Sequence, residues 1–119
     1  MKSNFKCKNP FKDRFNESIN ILSRYPDRIP VIVERSAKTA DDCPEIDKNK
    51  YLIPKDLTIA QFMNVIRQRM KLPSEKAIFL LVNGMIPSNS TMFSNLYNEH
   101  KDEDQFLYIT YSFENTFGL

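Results

Sequence analysis

Gly118 is one of only two glycines in this chain of 119 residues, and a single residue, Leu119, follows it. Because glycine has no Cβ, it can pass through a narrow active-site cleft and expose its carboxyl carbon to a nucleophile. Removal of Leu119 would leave Gly118 with a carboxylate that other enzymes could activate and join to an amine. A frayed terminus that happens to end in Gly-Leu is the alternative, and these residues taken alone favour that alternative.

Other side chains that could do chemistry do not occur at motif spacing. His100 is the only histidine, and it lies in a charged segment where we expect it to face solvent. Two distant glycines cannot form a phosphate-binding loop, and the acidic pairs do not match a calcium loop. Cys7 and Cys43 lack C-x-x-C spacing, so we interpret each as a surface or loop thiol. The sequence therefore predicts a protein that is not an enzyme and uses no metal or cofactor.

The composition is that of one soluble domain. The chain is 41% hydrophobic and 27% charged, and no apolar run approaches the roughly 18 residues of a membrane span. The first residues are basic and polar rather than signal-like, which predicts a cytoplasmic protein. Residues 1–38 carry nine basic and four acidic side chains, and the rest of the chain is net acidic. The basic end either approaches acidic partners or an anionic membrane, or is simply a solvated face. No pattern indicates nucleic-acid binding.

Hydrophobic periodicity predicts the order of the elements. Phe11, Phe15, Ile19 and Leu22 form one helical stripe, which we expect to face the core, and Tyr25-Pro26 ends that helix. The further elements predicted are strands over 28–35 and 48–54, a helix over 58–70 with a capping box, a strand over 77–82, a short helix over 91–99 and a strand over 105–111.

This order after the first helix, β-β-α-β-α-β, is that of the ubiquitin-like β-grasp. We therefore predict an α+β protein, a ubiquitin-like β-grasp with extra N-terminal helices packed on the sheet. Residues 1–27 would form the helical extension, residues 28–111 the β-grasp and residues 112–119 a flexible conjugation tail.

Several sequence blocks resemble a known family. The blocks, in chain order, are YPDRIPVIVE (25–34), KYLIP (50–54), DLTIAQF (56–62), VIRQR (65–69), LVN (81–83) and FLYITY (106–111). They are similar to the ubiquitin-like modifiers of autophagy, and more to the branch of the GABA type A receptor-associated protein than to the light-chain branch. The match runs from about Asn9 to Leu119, with one short insertion in the loop 36–47.

The resemblance implies a conjugation pathway. A processing cysteine protease would remove Leu119, and an activating enzyme and a conjugating enzyme would pass the Gly118 carboxylate to phosphatidylethanolamine. The protein, a monomer when soluble, would then be anchored by the lipid on autophagosomal or vesicle membranes and recruit cargo receptors and adaptors. An unconjugated adaptor, tethering vesicle or cytoskeletal partners through the same groove, is the alternative.

The resemblance also implies a groove for peptides of the form aromatic-x-x-aliphatic beside the second strand. An aromatic pocket would be lined by Glu17, Ile21, Pro30, Lys48, Lys50, Leu52 and Phe106. An aliphatic pocket would be lined by Tyr51, Ile53, Pro54, Leu57, Phe62, Val65 and Ile66. Arg28, Lys48, Lys50 and Arg69 would meet acidic residues that flank the peptide. Helical geometry alone leaves Ile21 either at the lip of this pocket or as an edge of the core stripe, and Phe62 and Ile66 are also core positions.

Overall fold

A four-stranded mixed sheet is the centre of the fold. The computed structural model describes residues 3–39 and 42–113. In chain order the elements are α1 (Asn4–Lys8), α2 (Phe11–Arg24), β1 (Arg28–Arg35), β2 (Lys50–Pro54), α3 (Ile59–Met70), β3 (Phe79–Leu81), α4 (Phe93–His100) and β4 (Leu107–Ser112). The strand order is β2-β1-β4-β3, with β1 and β4 parallel and the other two pairs antiparallel.

Local sequence signals explain several of the element boundaries. The Thr58 hydroxyl accepts a hydrogen bond from the Gln61 N–H, and the Gln61 side chain accepts one from the Thr58 N–H, so a complete capping box begins α3. The same helix ends at Lys71, whose φ of 54° is left-handed. Asn83 and Gly84 follow β3 with φ values of 51° and 76°, which is the backbone of a tight hairpin turn.

The sheet separates two apolar clusters. The larger lies on the α3 side and includes Tyr51, Phe62 and Phe93, whose rings meet edge to face with centroids 5.5 and 5.2 Å apart. The smaller lies under the N-terminal helices and joins Phe5 to Ile32 and Phe106. Because β1 is covered on both faces, Val31, Ile32 and Val33 are completely buried.

The structure confirms the predicted fold class and the order of its elements, and α1 and α2 lie on the sheet as an addition to the β-grasp. Two predicted strands were too long: β2 begins at Lys50 rather than residue 48, and β3 occupies only residues 79–81. The division into 1–27, 28–111 and 112–119 stays a prediction, and most of the proposed tail lies outside the described residues.

The predicted core stripe of α2 is wrong. Phe11 is 49% exposed and Ile19 is 42% exposed, whereas the buried residues of this helix are Arg14 and Ser18. Arg14 Nε donates to Asp104 Oδ2 at 2.8 Å, and the Ser18 hydroxyl donates to the Asp104 carbonyl at 2.5 Å. These polar contacts turn the helix about its axis by roughly a quarter turn from the predicted orientation.

The expectation that His100 faces solvent is also wrong. Its side chain is 18% exposed, and its Nδ1 lies 3.0 Å from Asn83 Nδ2 in the turn after β3. The thiol of Cys43, expected on the surface or in a loop, is buried within its loop, while Cys7 is exposed.

Candidate functional site

Strand β2 is an edge of the sheet in the part of the chain that the structure describes. Val33 N–H donates to the Asn49 carbonyl at 2.7 Å, and Tyr51 and Ile53 follow in the same antiparallel register with β1. In such a ladder the residues between hydrogen-bonded pairs direct their N–H and C=O groups outward. The backbone groups of Lys50 and Leu52 therefore point away from the sheet, toward any further strand, and the Leu52 carbonyl accepts a long hydrogen bond from Arg28 Nη1 at 3.4 Å. Pro54, the last residue of β2, has no backbone N–H group and cannot donate a hydrogen bond to another strand.

The α2 side of this edge carries the predicted aromatic pocket. Pro30 and Phe106 are buried, and Ile21 is half-buried against the cluster that contains Phe106. Leu52 is 37% exposed, so its side chain is available at the surface of this region. Residues of α2, β1 and β2 thus lie on the same face of the sheet as Phe106, which precedes β4, and their role as a pocket for a ligand stays a prediction.

An ion pair joins the two rims of this region. Lys50 Nζ contacts Glu17 Oε2, which connects β2 to α2. Both side chains are about two-fifths exposed, so a competing carboxylate in solution could reach Lys50. Lys48 lies apart from this arrangement, because it precedes β2 and its ammonium lies 5.0 Å from the centre of the Tyr51 ring.

The α3 side carries the residues of the predicted aliphatic pocket, but they lie at different depths. Tyr51, Ile53, Phe62 and Ile66 are buried in the main core. Val65 is 41% exposed, and Pro54 and Leu57 are half-buried. A ligand side chain would therefore contact Pro54, Leu57 and Val65 at the surface, with Phe62 and Ile66 supporting them from beneath.

The hydroxyl of Tyr51 is a polar atom without a partner in this apolar region. It is buried and has no hydrogen-bond partner among the described residues. Burial raises the pKa of Tyr51 above its ordinary value, while the nearby Arg69 acts in the opposite direction. A buried hydroxyl that lacks a partner has a free-energy cost, which a polar group of a bound ligand could remove.

The predicted cations are already engaged. Arg28 Nη1 donates to the outward-facing Leu52 carbonyl at 3.4 Å, and Arg69 Nε lies 3.0 Å from Asp47 Oδ1. The Arg69 and Asp47 side chains are 41% and 71% exposed, so their ion pair is open to exchange with other charges. An acidic ligand would therefore have to displace Glu17 to pair with Lys50 and Asp47 to pair with Arg69.

Sequence reasoning missed Phe5. This residue lies in α1, is 7% exposed, and meets the Phe106 ring edge to face with centroids 5.4 Å apart. No periodic pattern could indicate it, because a helix of five residues is too short to show one. Gly118, the predicted attachment residue, lies outside the described residues.

Two negative findings apply to the described residues. They contain no group of three or more histidine, cysteine, aspartate and glutamate side chains arranged to hold a metal ion. Within the same residues, no helix combines the length and the apolar character needed to cross a bilayer.

The fold defines a ubiquitin-like protein that carries additional N-terminal helices. A family model described as "Autophagy protein Atg8 ubiquitin like" matches residues 13–118. The chain is 56% identical over 117 residues to "Autophagy-related protein 8a" of Arabidopsis thaliana, covering 98% of this chain and 94% of the relative. It is 55% identical over 118 residues to "Autophagy-related protein 8" of Candida albicans, covering 99% and 86%.

A solved structure agrees with these matches. The crystal structure of Trypanosoma brucei ATG8 superposes with a TM-score of 0.88 and 37% sequence identity, covering 94% of this chain and 95% of the other. The chain belongs to the Atg8 family of ubiquitin-like autophagy proteins.

Proposed function

We propose that this protein is a ubiquitin-like modifier rather than an enzyme, cut after Gly118 and conjugated through that residue to phosphatidylethanolamine. The family match supports this proposal because it extends through residue 118. The lipid would hold the protein on autophagosomal or vesicle membranes. Two acyl chains on one anchor suit stable attachment, since a single chain binds a membrane only marginally. The partners in this step are the processing protease and the activating and conjugating enzymes.

On the membrane, the edge of β2 would recruit cargo receptors and adaptors by adding their peptides as a further strand. The observation that carries this proposal is that the outward backbone groups of Lys50 and Leu52 lie between two apolar surfaces on opposite faces of the strand. Successive side chains of an extended peptide point to opposite faces, so residues three apart also do. An aromatic-x-x-aliphatic peptide would therefore direct its aromatic residue toward α2 and its aliphatic residue toward α3.

Acidic residues beside such a motif would exchange partners with the rim. A peptide carboxylate that reaches Lys50 replaces Glu17, and one that reaches Arg69 replaces Asp47. Since each exchange breaks one exposed ion pair to form another, it changes the affinity little and mainly affects the rate and selectivity of encounter.

Truncation of the exposed side chains tests the groove. We expect Leu52→Ala and Val65→Ala each to weaken binding of a synthetic Phe-x-x-Leu peptide about fivefold, because each removes apolar area that the peptide would cover. Isothermal titration calorimetry measures the change. Met85→Ala is the matched control, since Met85 is 55% exposed and follows the turn after β3, at the opposite edge of the sheet from β2. Equal binding by all three variants would contradict the location of the groove.

Mass spectrometry tests conjugation. Protein purified from its own cells should lack Leu119 in the soluble fraction and carry a phosphatidylethanolamine adduct on Gly118 in the membrane fraction. Gly118→Ala should abolish the membrane fraction and leave peptide binding intact. A Gly118→Ala variant that still reaches membranes would favour the unconjugated adaptor.

A further inference from the structure

Phe113 is the first residue beyond the sheet, and side chains from two loops hold it. β4 ends at Ser112, which is in register with Phe79 of β3. The Phe113 N–H then donates to the Thr39 hydroxyl oxygen at 2.7 Å, and the Lys76 ammonium lies 4.6 Å from the centre of the Phe113 ring. The ring is half-buried against the main core. The chain is therefore still fixed one residue after its last strand.

The two loops that hold Phe113 are joined to each other and to a helix. Lys76 Nζ lies 3.0 Å from Asp42 Oδ2, so an ion pair connects the loop before β3 to the loop 36–47. The Lys76 carbonyl also accepts a hydrogen bond from Arg67 Nη1 of α3 at 2.7 Å. Together these contacts form a clamp around Phe113. The residues of the clamp are Thr39, Asp42 and Lys76.

The clamp fixes the root of the segment that carries Gly118. Gly118 lies five residues after Phe113. Because an extended chain spans at most about 3.3–3.6 Å per residue, Gly118 lies within about 18 Å of Phe113. The entropy lost when the backbone of one residue is fixed corresponds to roughly a tenfold change in an equilibrium constant. A segment whose root is already fixed avoids this loss when an enzyme binds it.

We infer that Phe113 is a positioning residue for the removal of Leu119. Thr39 and Lys76 act through Phe113. This inference rests on the proposed cleavage after Gly118. In that reaction water is added across the Gly118–Leu119 peptide bond, which leaves a carboxylate on Gly118 and an amino group on Leu119. The clamp takes no part in the bond cleavage, so it lowers the KM of the processing protease and leaves kcat unchanged.

The kinetics of processing test this role. The processing cysteine protease from the same cells is the probe, and mass spectrometry follows the release of Leu119. Phe113→Ser should raise KM about tenfold at unchanged kcat, whereas Phe113→Tyr keeps the ring and should retain the wild-type KM. Thr39→Val removes the acceptor of the Phe113 N–H, and Lys76→Ala removes the cation over the ring, so each should raise KM about threefold. Lys55→Ala is the control, since this exposed lysine follows β2 at the other end of β1 and should not change KM.

Two further measurements distinguish positioning from direct contact with the protease. The double variant Phe113→Ser/Lys76→Ala should have the KM of Phe113→Ser alone, because Lys76 acts through the ring. A further rise in KM, or an unchanged KM in Phe113→Ser, would overturn the inference.

Amide hydrogen exchange tests the clamp without the protease. The Phe113 N–H should exchange about fivefold faster in Thr39→Val than in the wild-type chain, because its acceptor is lost. Equal exchange rates in the two proteins would overturn the clamp. A wild-type chain from which the protease does not remove Leu119 would instead refute the proposed cleavage, whatever the exchange rates are.

Discussion

Replacement of Asp104 by alanine should be among the most destabilising single changes in the molecule. The Asp104 carboxylate is completely buried and accepts hydrogen bonds from Arg14 Nε at 2.8 Å, from the Phe106 N–H at 2.9 Å and from the Tyr108 hydroxyl at 2.5 Å. The Arg14 side chain is only 10% exposed. Asp104→Ala therefore leaves a buried guanidinium without its counter-ion, together with two donors that have lost their acceptor.

The size of the loss follows from these contacts. Removal of one partner of a buried ion pair costs about 3–5 kcal/mol, because the remaining charge is buried and uncompensated. The free energy of unfolding of folded domains is only about 5–15 kcal/mol, so Asp104→Ala should remove a large part of it. At roughly 4 °C per kcal/mol for a domain of this size, the melting temperature should fall by about 12–20 °C.

Urea unfolding followed by circular dichroism measures the free energy of unfolding. Glu103→Ala is the matched control, because this neighbouring carboxylate is exposed, and it should change the free energy by less than about 0.5 kcal/mol. The double variant Arg14→Met/Asp104→Leu should recover part of the loss, since it removes both charges together. A loss below about 1 kcal/mol for Asp104→Ala would refute the conclusion that this ion pair fastens α2 to the sheet.

Three further changes address other parts of the fold. Thr58→Ala should lower the free energy of unfolding by about 1 kcal/mol, because it removes the α3 capping box, and an unchanged urea midpoint would contradict that role. Tyr111→Phe should lower the free energy of unfolding by about 1–3 kcal/mol, because the Tyr111 hydroxyl donates to the Pro44 carbonyl and accepts from the Ile46 N–H, both at 2.8 Å. Limited proteolysis should then cut the loop 36–49 faster than in the wild-type chain. An unaltered digestion rate would contradict the anchoring of this loop by Tyr111. Burial alone would raise the pKa of Asp102, but hydrogen bonds from Lys6 and from the Asp104 N–H outweigh it and lower that pKa. A folded-state pKa below the unfolded value means that the stabilisation is fully present above about pH 4 and is lost as the pH falls through the folded pKa. In Asp102→Asn, the free energy of unfolding should therefore fall less steeply at acid pH than it does in the wild-type chain. Equal slopes of the free energy of unfolding against pH for the two proteins would refute this.

The parts of the fold that follow from the sequence are those with short-range signals. The capping box at Thr58 and Gln61 predicts the start of α3, and the run of β-branched residues predicts β1 with its observed bounds. The orientation of α2 could not be predicted, because Arg14 meets Asp104 across 90 positions of sequence. Hydrophobic periodicity assigns charged residues to the solvent-facing side of a helix. In α2, however, the charged residue Arg14 lies on the buried side.

The residues of the candidate site also divide into those that local sequence indicates and those that depend on long-range contacts. The edge position of β2 and the core positions of Phe62 and Ile66 were open to prediction from pattern and resemblance. The contribution of Phe5 was not, because it depends on how α1 lies against Phe106 after the chain has folded. The engagement of Arg69 by Asp47 likewise depends on the path of a loop that local sequence does not determine.

The position of β4 between β1 and β3 has a consequence for synthesis. Val31 of β1 pairs in parallel with Leu107 of β4, a partner made 76 residues later. At about 5–20 residues per second, the ribosome needs roughly 4–15 s to make that stretch. During this time one edge of the most buried strand has no partner, and the loop that must close to pair it is long, so folding is slow compared with helical proteins. An unpaired strand edge is a place where other chains can add, so we expect aggregation of the nascent chain to increase with the time for which β1 waits for β4.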